Sequence, residues 1–247
     1  MQGFLLLWLA MKFVTWNCNM AFRKKASAVA AFSPDILVVP ECECPEKLQF
    51  DLYTPKPSQT LWFGENLNKG LGIFSYSDFS FKLIDLHNSK LKTIVPLEVS
   101  NNKLSFILFA IWANNPADRG FEYVGQIWKS LEHYKSILKN NRVVLIGDFN
   151  SNTIWDKPKR EGNHSTLVKH LKDLGIHSCY HQHFKFEQGK EKHHTLYMYR
   201  KKDKGYHIDY CFASSFFTNR LKSVTVGKHR QWSPYSDHTP LIVDFDL

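Results

Sequence analysis

Asp148 and Asn150 stand two residues apart, directly behind Val143-Val144-Leu145-Ile146-Gly147. That aliphatic run suits a strand buried on both faces. Side chains at i and i+2 of an extended segment point the same way, so both polar groups leave the strand end side by side. The same two residues also favour turns, and alone they would signify little. Other strand-like runs end in a similar way. Asn17 and Asn19 follow Phe13-Val14-Thr15-Trp16, and Glu41 follows the run from Ile36 to Pro40. Asp209 lies within His207-Ile208-Asp209-Tyr210, and Ser236-Asp237-His238 precedes the last apolar run. Carboxylates, amides and an imidazole are hard oxygen ligands, hydrogen-bond donors and acid–base groups. Their repeated placement at strand ends points to convergence on one cleft at one sheet edge.

The elements that must position them follow from periodicity. Phe13 to Trp16 reads as a strand, Arg23 to Phe32 as a helix stopped by Ser33-Pro34-Asp35, and Ile36 to Val39 as a buried strand. Cys42 to Ser58 reads as loop; Leu71 to Tyr76 and Phe79 to Leu86 read as strands. Lys92 to Val99 and Lys103 to Trp112 form an antiparallel pair turned at Asn101-Asn102. From Phe121 to Leu138, the residues Val124, Ile127, Trp128, Leu131, Tyr134 and Leu138 line one helical face. A second helix spans Ser165 to Leu174, capped by Gly175. His177 to Lys204 is polar, rich in His and Lys, and shows little periodicity. His207 to Ala213, Leu221 to Val226 and Pro240 to Phe245 are the closing strands. Strands and helices mix throughout, so a single α/β domain over residues 11–247 is expected, with residues 1–10 an extension ahead of a start at Met11.

The 247 residues carry 43% hydrophobic and 15% aromatic side chains, enough for a sizeable core. The net charge of +9 favours a polyanionic partner, nucleic acid before anionic membrane. Phe4 to Leu9 is apolar but far short of the roughly 20 residues that span a bilayer, and no basic residue precedes it. A cytoplasmic location without membrane attachment is expected. The five cysteines, an odd number, suggest free thiols. A zinc site from Cys42, Cys44, His181, His183, His193 and His194 is disfavoured, because Cys-x-Cys lacks the usual gap and no second pair exists.

Together, Thr15-Trp16-Asn17, Pro40-Glu41, Gly147-Asp148-Phe149-Asn150, Ile208-Asp209-Tyr210 and Ser236-Asp237-His238 resemble, in order, the motifs of the endonuclease/exonuclease/phosphatase superfamily. This group contains exonuclease III, the abasic-site endonucleases and deoxyribonuclease I. The resemblance implies a four-layer α/β sandwich, two mixed sheets face to face with helices outside, and Mg²⁺- or Mn²⁺-dependent phosphoester hydrolysis. It implies Glu41 as metal ligand, with Asn17 and Asn19 beside the metal or the phosphate and Asp237 in the metal's outer shell. Asp148 would orient and deprotonate the attacking water, and Asn150 would hold that water or a phosphate oxygen. His238 would donate to the phosphate, with Asp209 fixing its tautomer and keeping it charged. Lys69-Gly70-Leu71-Gly72-Ile73 resembles a family segment in which glycines pass close to the metal-site Glu.

One departure concerns the end of the Phe106 to Trp112 run, where relatives place a Tyr or His. Here Trp112 offers an N–H but no transferable proton, so Asn114, Asn115, water or metal must serve instead. Candidates for substrate contact are Trp112, Asn114, Asn115, Arg119, Lys157, Arg160, Arg200 and Tyr206. Basic residues interleave with Trp155, Tyr197, Tyr199 and Tyr206, the combination that neutralises phosphate and stacks bases. A DNA nuclease is favoured, with RNA open. The alternatives are a superfamily phosphatase or phospholipase on small phosphoesters, and a nucleic-acid-binding module with weakened catalysis.

Overall fold

The computed structural model describes residues 10–51, 54–114, 120–139 and 141–247. In chain order the strands are β1 (Ala10–Thr15), β2 (Ile36–Cys42), β3 (Gln59–Asn66), β4 (Lys69–Ser75), β5 (Ser80–Leu83), β6 (Ile94–Ser100) and β7 (Ser105–Trp112). They continue as β8 (Val143–Asp148), β9 (Ile176–Ser178), β10 (Leu196–Tyr197), β11 (Gly205–Tyr206), β12 (Asp209–Ser214), β13 (Leu221–Val226) and β14 (Leu241–Asp246). One six-stranded sheet has the order β13-β14-β1-β2-β4-β3, and a second has the order β5-β6-β7-β8-β12-β9. The short β10-β11 ribbon stands apart.

Each strand's alternation decides which layer it joins. Phe13, Val38, Leu71 and Ile73 of the first sheet meet Leu108, Ala110, Val144 and Ile146 of the second in the core between the sheets. The neighbouring positions Val143, Leu145, Phe109 and Ile111 face outward, onto Ile127, Leu131, Leu167 and Leu171 of the helices Val124–His133 and His164–Asp173. On the other outer face, Val14, Leu37 and Val39 pack with Phe22, Val29 and Trp232. The result is the expected four-layer α/β sandwich. The unbroken Val143–Ile146 run reflects burial on both faces, which an alternating strand could not satisfy.

Several elements differ from the sequence reading. The helix expected from Phe121 to Leu138 begins at Val124 and breaks at Tyr134 into two, Val124–His133 and Lys135–Leu138. Tyr134 Oη accepts a 3.0 Å hydrogen bond from Asn88 N, tying the break to a distant loop. The helix expected from Arg23 to Phe32 shrinks to a 3₁₀ turn and Ala26–Ala30. β3 went unrecognised because it is half-buried or exposed along its whole length, so its pattern is weak. The stretch from His177 to Lys204 holds β9, a helix at Cys179–Phe184 and β10. Ala10, placed in the expected extension, pairs with Asp246 at the start of β1; the rest of that extension, residues 1–9, lies outside the described part. No helix among the described residues is long and apolar enough to cross a membrane.

Register brings the functional edge together. β1 and β2 are parallel, as are β7 and β8, so Asn17, Glu41, Trp112 and Asp148 all fall at C-terminal ends. β12 and β14 run antiparallel to β8 and β1, which brings Asp209 opposite Asp148 and the start of β14 opposite Thr15. Gly147 makes this edge possible. Its φ of +145° excludes ordinary side chains, and a Cβ there would lie 1.8 Å from the Ile111 carbonyl oxygen.

Candidate active site

Asp148 is fully buried at the floor of a cleft of about 520 Å³, lined also by Asn17, Asn19, Glu41, Asn150, Arg200, Asp237 and His238. The loop after β8 folds back on it: Asn150, in the left-handed region at φ 48°, donates its backbone N–H to Asp148 Oδ1 at 2.8 Å. Asn150 Nδ2 is anchored on the Ala113 carbonyl at 2.8 Å. Asn17 Nδ2 donates to Asp148 Oδ2 at 3.0 Å and to Glu41 Oε1 at 3.3 Å, joining the two sheets across the cleft.

Glu41 is aimed by a bulge. The register of β2 against β4 slips between Pro40 and Cys42, and Glu41 itself has φ 60°. Bulges re-aim a side chain at the cost of local strain, a combination concentrated at functional sites. Lys69 Nζ lies 3.3 Å from Glu41 Oε2. Asn19, also left-handed, donates to Asp237 Oδ1 at 3.1 Å. Ser236 Oγ donates to the Asn17 carbonyl at 2.8 Å and accepts from His238 N at 3.0 Å, so the Ser236-Asp237-His238 turn is pinned to the end of β1.

His238 Nδ1 and Asp209 Oδ2 are 2.9 Å apart and buried. Burial alone would lower the His238 pKa, but Asp209, then Asp148 and Asp237, raise it to about 10. The imidazole is therefore charged at neutral pH, with Nδ1–H committed to Asp209. Burial and the nearby Asp209 carboxylate push Asp148 up to about 7, against His238 and Asn17, which pull it down. A carboxylate poised near neutrality is suited to taking a proton. Asp148, Asp209 and His238 bring ligand atoms within 4.8 Å of one another. Asp209 Oδ1 is buried without a hydrogen-bond partner among the described residues, as an atom awaiting a cation or donor would be. The carboxylate oxygens of Asp148 and Glu41 fit a hard divalent ion, whereas the protonated His238 ring has no lone pair to offer one.

The sequence-derived candidates are distributed as follows. Asn17, Asn19, Glu41, Asp148, Asn150, Arg200, Asp237 and His238 share the cleft, and Asp209 stands behind His238. Lys157 and Arg160 line an adjoining recess of about 370 Å³ with Trp155, Leu196 and Met198. Trp112 and Asn114 line a cavity on the opposite flank. Tyr206 packs on Trp155, ring centres 4.9 Å apart, and lines none of these spaces. Asn115 and Arg119 lie outside the described residues. The alternative zinc arrangement does not assemble: Cys42 and Cys44 are buried free thiols, and His181 and His193 are engaged by Glu191 and Tyr180.

Residues with no clear sequence signal hold the site from behind. Thr195 Oγ1 accepts the backbone N–H groups of Ile208 and Asp209, both at 3.0 Å, and its carbonyl accepts Thr239 N at 2.7 Å. It thereby joins the segments that carry Asp209 and His238. Glu191 accepts from Asn152 Nδ2 at 3.2 Å, Gly189 N at 3.1 Å and pairs with His181 at 3.0 Å. Burial would raise its pKa, but the His181 and Asn152 hydrogen bonds hold it down at about 2.

No family model matches the chain, and a search of curated proteins finds no match. Solved structures do match. An AP endonuclease from Archaeoglobus fulgidus superposes with a TM-score of 0.66 at 20% identity, covering 96% of this chain and 100% of that one. The Neisseria 3′ phosphatase NExo, solved with a product DNA hairpin, gives 0.62 at 21%, covering 96% and 100%. The endonuclease domain of TRAS1, a telomere-specific non-LTR retrotransposon, gives 0.62 at 16%, covering 96% and 99%. With its paired six-stranded sheets, flanking helices and motif order, the chain has the fold of the endonuclease/exonuclease/phosphatase superfamily.

Proposed function

We propose that this protein is a divalent-metal-dependent phosphodiesterase that hydrolyses nucleic acid, DNA in preference to RNA. The observation that carries the reading is the junction of Asp148 with the Asp209–His238 pair and Glu41 around one open cleft. The named activities of the structural neighbours, an AP endonuclease and a 3′ phosphatase, support a phosphoester substrate.

A bound Mg²⁺ or Mn²⁺ would neutralise charge on the phosphate and on the departing oxygen. The chain's own residues do the rest. Asp148, held by the Asn150 backbone N–H and the Asn17 side chain, accepts a proton from the attacking water. His238, with Nδ1–H held by Asp209, turns Nε2–H toward the cleft and donates to a phosphate oxygen as charge builds there. Glu41, Asn19 and Asp237 are the residues to hold the ion or its waters. Trp112 cannot protonate the leaving group, so that proton comes from solvent. Arg200 in the cleft and Lys157 and Arg160 beside it supply cations for flanking phosphates.

Labelled single-stranded, duplex, nicked, abasic and RNA oligomers incubated with Mg²⁺ test this reading. Cleavage of DNA that stops in EDTA and in Asp148→Asn supports it. Release of phosphate from small phosphomonoesters with intact oligomers would favour a phosphatase instead.

A further inference from the structure

Beside the catalytic cleft, on the Glu41 side, the sheets open into another cavity of about 500 Å³, within the range of small-ligand sites. Lys69 stands at the boundary, 3.3 Å from Glu41 Oε2 and 5.4 Å from the centre of the Trp112 ring. Phe63, His87 and Trp112 give the cavity aromatic walls, with the Phe63 and His87 rings 5.8 Å apart. Asn114 Nδ2 donates to Thr93 Oγ1 at 3.3 Å, and Thr93 Oγ1 donates to the Trp112 carbonyl at 2.7 Å, so the Asn114 amide is the polar group left on the lining. Lys92, on the rim, is paired at 2.7 Å with the exposed Glu65, a surface contact worth little and exchangeable for phosphate. His87 Nε2 is buried with no hydrogen-bond partner among the described residues.

The cavity adjoins the cleft through the Lys69–Glu41 pair and through the strand end that carries Trp112. Ala113, whose carbonyl anchors Asn150 Nδ2, sits between Trp112 and Asn114 in the chain. Aromatic walls with a cationic rim accept a base of any identity by stacking while the lysines take phosphate. An acyl chain would leave Asn114 and both lysines without use. We infer that this cavity receives the nucleoside next to the scissile phosphate, its base against Phe63, His87 and Trp112 and its outer phosphate at Lys69 and Lys92. The ligand class rests on the nuclease reading; the cavity does not.

Calorimetric titration of the metal-free protein with thymidine 5′-monophosphate and with base-free 2-deoxyribose 5-phosphate tests the inference. The nucleotide is expected to bind roughly 5- to 150-fold more tightly, the equivalent of one base–aromatic stack. That difference should collapse in His87→Ala and in Phe63→Leu, which keeps an apolar side chain for the core, and persist in Trp155→Ala on the opposite flank. Lys92→Glu, an exposed change that spares the fold, should weaken both ligands alike. Absence of the difference in the native protein would overturn the inference. So would its loss in Trp155→Ala with retention in His87→Ala and Phe63→Leu. Oligonucleotide cleavage is scored separately. Base-selective binding without cleavage of any nucleic acid would refute the nuclease reading and leave the pocket standing. Cleavage without base-selective binding would refute the pocket alone.

Discussion

Asp148 takes its character from its surroundings more than from its own chemistry. Burial and the Asp209 carboxylate raise its pKa to about 7, while Asn17 and Asn150 hold it in place. Asp148→Asn keeps the shape and removes the base, so turnover should fall by roughly 10²–10⁴-fold with the melting temperature unharmed. The working form is the carboxylate, so activity is low while Asp148 is protonated and rises with pH. With a divalent cation bound, which favours the carboxylate, the half-rise should lie near or below pH 7. At the alkaline end, activity should fall as His238 loses its proton near pH 10. A pH–rate profile flat from pH 5 to 8 would contradict this assignment. The meeting of Asp148, Asn150, Glu41, Asp209 and His238 at one edge was legible because polar residues recur at the ends of buried strands, in the order that the superfamily resemblance implies. Thr195 was not. Its role is to accept two backbone N–H groups in a loop without periodicity, and a threonine there looks like any other loop residue.

At the scale of elements, β8 was legible because an aliphatic run buried on both faces can be little else. The half-buried edge strand β3 and the polar segment from His177 to Lys204 were not, since each is held by means that leave no stripe. That segment is held by polar contacts: Glu191, His181 and Gln188, with His164 of a neighbouring helix, link it to Ser151 and Asn152 in the loop after β8. The network predicts an acid sensitivity. Burial lowers the pKa of His164 to about 4 and that of His207 to about 3, so both are neutral in the fold. In the unfolded chain they protonate near pH 6.5, so between that value and the folded ones the unfolded state binds more protons. The contribution of these two histidines is therefore full above about pH 6.5 and is lost on acidification, by up to about 1.4 kcal/mol per pH unit for each, while Asp148, whose pKa is raised, offsets one of them between about pH 7 and pH 4. Thermal melts from pH 7 to pH 4 should show this decline, and His164→Gln should flatten it. Thr195→Val, close to the same shape, should cost about 1–3 kcal/mol by leaving buried N–H groups unpaired and should lower kcat more than it raises KM. Unchanged kcat would remove Thr195 from the positioning of Asp209.

The whole molecule presents an edge where strands of both sheets end, with cavities on either flank of the Asp148 cleft and a net charge of +9. The cations around it make a prediction at this scale. If Lys157, Arg160 and Arg200 meet phosphates, DNA affinity should fall with salt, each contact adding about −0.7 to −0.9 to the log–log slope. A flat response would point to a small phosphoester. The fold class was legible from the mixing of strands and helices, whereas the cavity at Phe63, His87 and Trp112 arises from segments whose meeting no local pattern announces. The most direct test of the central claim is a time course of labelled duplex and single-stranded DNA with the native protein in Mg²⁺, in EDTA, and with Asp148→Asn in Mg²⁺. Cleavage in the first condition alone is the predicted result. Undiminished cleavage in EDTA or by the Asp148→Asn protein would contradict it.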